Sequence, residues 1–173
     1  MSLTNAATLS LSLGRNRLGF AVFRHGHMEY YGGKTLNRYP TALDRNRGIV
    51  VTLDRLVKDH NISKIALLKL NKQQSHSSEL RSLYAAVRRF CVKNGLAVEK
   101  QDPALTRRKL TGDADPTKAN VRTRLIARFP ELKRYSSGGG EWERRYYGHV
   151  FTAIGAGMVA SGFATTSGER VVE

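Results

Sequence analysis

Arg107-Arg108-Lys109, with Lys118, Arg122 and Arg124 close behind, is the part of this chain best suited to chemistry with phosphate. Clustered guanidinium and ammonium groups neutralise phosphodiester oxygens and displace their counterions, an interaction that weakens steeply with salt. Between these cations runs Thr111-Gly112-Asp113-Ala114-Asp115-Pro116-Thr117-Lys118. Gly112 relieves a helix-ending turn, Pro116 suits the first turn of a new helix, and the amides beside Lys118 can receive an anion. A plain helix-loop-helix connection accounts for the same glycine and proline. Other chemistry is poorly served: His25, His27, His60 and His76 lack the spacing of zinc ligands. The single Cys91, set among apolar positions, reads as a core residue and excludes an internal disulfide. Tyr30-Tyr31 and Tyr146-Tyr147 are candidate base-stacking pairs, with one ring of each expected toward the core.

Composition points the same way. The 173 residues carry a formal net charge of +15 and an isoelectric point near 10.4. The excess is uneven: residues 81–134 hold 14 Lys and Arg against 5 Asp and Glu, whereas residues 135–173 hold 3 against 4. A one-signed field of this size concentrates anionic polymers at a surface. Hydrophobic residues make up 40%, and no apolar run approaches the ~18 residues of a membrane span. The expectation is one soluble domain, cytoplasmic and associated with nucleic acid, with DNA or RNA as partner and no membrane contact.

An α/β array must position these cations. Leu9, Leu11 and Leu13 alternate with Ser10 and Ser12 as in a half-buried strand, Gly14 and Asn16 turn the chain, and Leu18, Phe20 and Val22 resume the alternation. A third strand follows over 28–36, with Gly32-Gly33 as a bulge or kink. Apolar spacing then predicts a helix from about 41 to 61, a buried strand over 62–70, a second helix ending at Asn94-Gly95, and a fifth strand around 96–98. Two helices flank Gly112, residues 136–140 form a mobile Gly-Ser linker, and a last helix covers 142–163, rich in glycine and alanine.

Ser12-Leu13-Gly14-Arg15-Asn16-Arg17-Leu18-Gly19-Phe20-Ala21 resembles the Asp-x-Gly-x-x-Arg-Ile-Gly-x-Ala run of the RuvC and YqgF branch of the ribonuclease H-like superfamily. Residues 103–118 resemble a second RuvC stretch, in which a lysine-bearing helix ends in Thr-Gly or Val-Gly and crosses a small-residue loop to a lysine. The resemblance implies a ribonuclease H-like α/β fold over 9–163. It has a mixed five-stranded sheet, three antiparallel strands first, helices on both faces, and flexible ends at 1–8 and 164–173. It also implies a homodimer and a Holliday junction substrate.

Family members cut phosphodiesters with two metal ions, which need several converging carboxylates. In the family these come from the first strand, the end of the fourth strand and a pair three residues apart on the last helix. Matched onto this chain, the positions are Ser12, Lys69, His149 and Thr152. None is an acid. At a metal site Lys69 would repel a divalent cation yet attract a phosphate. Glu29, Glu141 and Glu143 are the candidates for relocated ligands, although the last two are explained as first-turn charges facing a helix dipole. Resolvases of the family also carry a stacking aromatic after the fourth-strand acid, where Leu70-Asn71-Lys72 offers none. The expectation is therefore a catalytically inactive RuvC-like protein, without metal or cofactor, that recognises structured DNA (branched, junction or duplex) or RNA mainly through phosphates. Arg107, Arg108, Lys109, Lys118, Arg122 and Arg124 would bind, with Lys69 and Lys72 in the former site and Arg15 and Arg17 at its rim. The alternatives are a Mg²⁺-dependent junction resolvase with relocated ligands and a structural subunit of a larger nucleoprotein complex.

Overall fold

The structure, a computed structural model, describes residues 6–136 and 140–162, apart from the side chains of Trp142 and Glu143. Residues 137–139 of the expected linker, the ends at 1–5 and 163–173 and the Glu143 side chain therefore lie outside the described residues. Among those described, β1 (Ala7–Leu13), β2 (Arg17–Arg24) and β3 (His27–Thr35) open the chain, followed by α1 (Ala42–His60), β4 (Ile62–Leu68), α2 (Ser78–Lys93) and β5 (Ala97–Gln101). Then come α3 (Pro103–Thr111), α4 (Lys118–Arg128) and α5 (Glu141–Ala160), with short 3₁₀ turns at Gln74–His76 and Pro130–Tyr135. The sheet order is β3-β2-β1-β4-β5, antiparallel across the first three strands and parallel at β1–β4 and β4–β5.

Local chemistry sets the ends of these elements. Thr41, Ser77, Asp102 and Thr117 each accept a hydrogen bond from a first-turn amide of α1, α2, α3 and α4. Asn61 closes α1, and Gly112 closes α3 at φ 74°. Pro116 stands before the Thr117 cap rather than inside the first turn of α4, so it stiffens the entry to the helix without being part of it.

α1 and α2 cover one face of the sheet, burying Leu9, Leu11, Leu13, Leu18 and Phe20 against Ile49, Leu53, Leu56, Leu83 and Val87. The opposite face packs Ala21 and Phe23 against Leu110 of α3, Leu125 of α4 and Val150 and Ile154 of α5. Strand β1 is thus buried on both faces, not half-buried as its Leu/Ser alternation predicts. Ser10 is fully buried and donates to the backbone oxygens of Ala21 and Ala153, the second at 2.5 Å. Serine meets a helix backbone here, where a polar side chain is fully satisfied without water.

Two other expectations change. The strand begins at Ala7, shortening the lead-in. The irregularity in the β2–β3 ladder falls between Val22 and Phe23, while Gly32 and Gly33 stay in register. Those glycines make room: a Cβ at Gly33 would lie 3.0 Å from the Tyr146 ring, and one at Gly32 the same distance from Phe20.

Candidate nucleic-acid interface

The C-terminal ends of β1 and β4, the β1–β2 turn and the N-terminal portions of α3, α4 and α5 surround a cleft of about 600 Å³. Ser12, Lys69, His149 and Thr152 all line it, so four positions far apart in sequence are neighbours in space. Parallel pairing explains the first two. Leu11 is level with Leu67 across β1 and β4, which sets Ser12 and Lys69 just beyond that pair, and Lys69 extends the neighbouring β4–β5 ladder by donating its amide to Gln101 O at 2.9 Å. His149 and Thr152, three residues apart, share one face of α5.

Ser12 Oγ and His149 Nδ1 share a hydrogen bond of 3.0 Å. Burial, with Arg17 and Lys118 nearby, holds the His149 imidazole below its ordinary pKa and hence neutral. Its ring lies against Gly14, where a Cβ would sit 2.5 Å from Nε2. Gly14 therefore serves a close approach in addition to the turn, which its amide closes on Arg17 O at 2.8 Å. Thr152 donates its hydroxyl back to Gly148 O at 2.7 Å.

Eight cations line the cleft: Arg15, Arg17, Lys69, Arg107, Lys118, Arg122, Arg144 and Arg145. One described carboxylate, Glu141, shares it and is ion-paired with Arg145. Arg15 is engaged by Glu79 at 2.8 Å, and that pairing holds the Glu79 carboxyl below its usual range. Arg122 lies over the Phe151 ring, 5.0 Å from its centroid, which fixes the guanidinium at the wall.

The remaining expected cations lie elsewhere. Lys72 is exposed in the loop after β4, and Arg108 and Lys109 point outward from α3, because a short helix turns only some of its residues toward one side. Arg124 borders a separate small cavity with Thr111, Asp113, Asn120 and Thr123. Arg144 and Arg145 stand outside the set expected from sequence. Arg145 lies four residues before His149 and so shares its helical face, whereas Arg144, five before, does not follow from that spacing.

Divalent metals do not fit this donor set. Hard cations need several oxygen anions, and the four positions supply two hydroxyls, a neutral imidazole and an ammonium. Across ~4 Å at an effective dielectric near 20, Lys69 would oppose each unit of metal charge by roughly 4 kcal/mol. Glu29 cannot assist: it pairs with Arg24 at 2.7 Å, and Arg24 also donates to His60 O, at the sheet end away from the cleft. No group of three metal-ligating side chains occurs among the described residues.

The tyrosines turn inward more than expected. Tyr31 and Tyr147 pack with Tyr135, and Tyr146 donates to Gly33 O at 2.7 Å. Tyr30 is the exposed member, stacked on His60 at 5.1 Å, and neither ring lines the cleft. Burial pushes the Cys91 thiol up to about 11, as befits a core residue. No helix among the described residues is long and apolar enough to cross a membrane.

Sheet order, mixed pairing and helices on both faces define a ribonuclease H-like fold of the RuvC resolvase type. Thermus thermophilus RuvC superimposes with a TM-score of 0.65 at 12% identity, covering 90% of this chain and 97% of that one. The yeast mitochondrial Holliday junction resolvase gives 0.63 at 9% identity, covering 91% of this chain and 80% of that one. Fowlpox virus resolvase, in a structure with Holliday junction DNA, gives 0.56 at 10% identity over 90% and 97%. No protein-family model matches the sequence, and no curated protein matches it.

Proposed function

We propose that this protein binds branched or duplex nucleic acid through phosphates, in a cleft that holds the backbone with cations and does not cut it. The observation that carries this reading is the set of eight cations around Ser12, Lys69, His149 and Thr152, with one described carboxylate already ion-paired. Lys69 supplies positive charge at a position where the fold's nucleases carry an acid, and Arg107, Lys118 and Arg122 extend that charge along the wall. Neutral His149 and Ser12, which share one hydrogen bond, leave a further N–H or O–H to donate to a phosphate oxygen without adding charge.

Branched DNA is the favoured polymer, because T. thermophilus RuvC and fowlpox resolvase, which share the fold, are each described in complex with a Holliday junction. A homodimer, which the resemblance implies, would present two such clefts. Fluorescence anisotropy with junction, duplex, single strand and RNA over a range of salt tests the proposal. Charge reversal of Lys69→Glu with Arg122→Glu should lower junction affinity at least about tenfold at low salt and flatten the salt slope by roughly 0.9 for each phosphate no longer neutralised. Salt-insensitive binding, or affinity unchanged by the double reversal, would overturn it.

A further inference from the structure

The layer of α1 and α2 carries a second positive surface that the cleft does not use. Its outward positions recur at helical spacing: Arg47, Val51 and Arg55 on α1, and Arg81, Ala85, Arg88, Arg89 and Val92 on α2, with Lys93 at the end. Val51 is 68% exposed and Val92 81%, so these stripes face solvent and not the sheet. The two helices pack side by side on one face of the sheet and present a single outer surface. Among the described residues, Arg47, Arg55, Arg88, Arg89 and Lys93 make no ion pair, whereas Lys58 is held by Asp54 and Arg81 donates to Ser75 O at 2.9 Å. Asp54, already paired with Lys58, and exposed Asp59, which ends the α1 stripe, are acids on or beside this face.

We propose that this face binds a second nucleic-acid backbone, so that one copy of the protein bridges two segments. The cleft opens at the C-terminal ends of β1 and β4, among the β1–β2 turn and α3, α4 and α5, and its rim residue Arg15 reaches Glu79 at the start of α2. From Glu79 the helix carries Arg88 and Lys93 roughly 13 and 21 Å further along its axis, away from the cleft rim. Along α2, Arg81 to Lys93 spans about 18 Å, the length of roughly five base steps of one strand. Val51, Val92 and Leu43 stand singly among arginines and form no continuous apolar patch of the kind that docks a protein. Like charges across a two-fold contact would also repel, which disfavours a second copy of the chain on this face.

The bridging reading rests on the cleft as the first site, and the experiment keeps the two apart. A short biotinylated duplex on beads is saturated with protein, washed, and offered a fluorescent duplex. The native protein should capture the second duplex. The back-face variant, Arg47→Glu, Arg88→Glu, Arg89→Glu and Lys93→Glu, should lose capture at least tenfold while keeping its affinity for one duplex within about two-fold, with an unchanged melting temperature. Glutamine at the same positions, should glutamate disturb the fold, should give the same direction. The cleft variant Lys69→Glu with Arg122→Glu should also lose capture yet retain salt-dependent binding of one duplex through the back face. Capture that persists in the back-face variant would mean bridging by a dimer of clefts and would overturn the proposal. So would a cleft variant that binds nothing. A cleft variant that binds and captures as the native protein does would overturn the reading of the cleft instead.

Discussion

In the proposed reading Lys69 makes a phosphate site of a position where the RuvC resemblance implies a metal-binding acid, and its charge reaches Asp102 across the cleft rim. Asp102, which caps α3, has its carboxyl held low first by the Leu105 amide and then by Lys69 and Arg107. Burial, with the cations Arg17 and Lys118 adding to it, keeps His149 neutral. Because the folded imidazole protonates less readily than a free one, the unfolded chain takes up the extra proton as the pH falls. The stability that His149 contributes is therefore complete above about 6.5, the ordinary imidazole value, and is lost as the pH falls below it through the folded-state pKa. Thermal melting from about pH 7 to about pH 5 should show a steeper loss for the native protein than for His149→Gln. Equal slopes would mean that His149 is not the group that titrates. A phosphate in the cleft would favour the imidazolium, so junction affinity should rise as the pH falls, and this gain should vanish in His149→Gln.

Helix α5 is the element on which the site depends, because it carries His149 and Thr152 directly onto β1 and β2. A Cβ at Gly19 would overlap the backbone carbonyl of His149, and one at Gly157 would overlap the Phe23 ring. Gly19→Ala should accordingly destabilise the fold by about 1–3 kcal/mol or more and lower junction affinity with it, both read by melting and anisotropy. Gly26→Ala, in a turn with open space, serves as the contrast: it costs only the strain of a backbone φ of 79° and should leave affinity unchanged. Strand alternation, helical stripes and capping residues make most elements legible in the sequence, and matching the RuvC runs brings Ser12, Lys69, His149 and Thr152 together. What stays hidden are contacts made between elements. Ser10 and Ser12 look solvent-facing by alternation, but a glycine-rich helix comes close enough to use them. Arg144 and Arg145 do not stand out because a doublet before a helix core reads equally well as solubility. Arg108, Lys109 and Arg124 fall with the cleft cations by closeness in sequence, although helix phase turns them away from it.

Across the whole molecule, a charge of +15 includes eight cations around the cleft at the strand ends and a second group on the outer side of α1 and α2. If the proposed phosphate binding holds, affinity comes from many weak contacts, and salt should erase it in proportion to their number. Its RuvC-type fold sets where the cleft lies, while the side chains filling that cleft decide what happens to a bound backbone. Binding and integrity of a labelled four-way junction, followed together in EDTA, in Mg²⁺ and in Mn²⁺, give the most direct test. A cleft that binds without cutting should show equal affinity in EDTA and at matched ionic strength in either metal, with the junction strands intact. Affinity that requires a divalent ion, or strand cleavage that Glu141→Ala or Glu143→Ala abolishes, would contradict it.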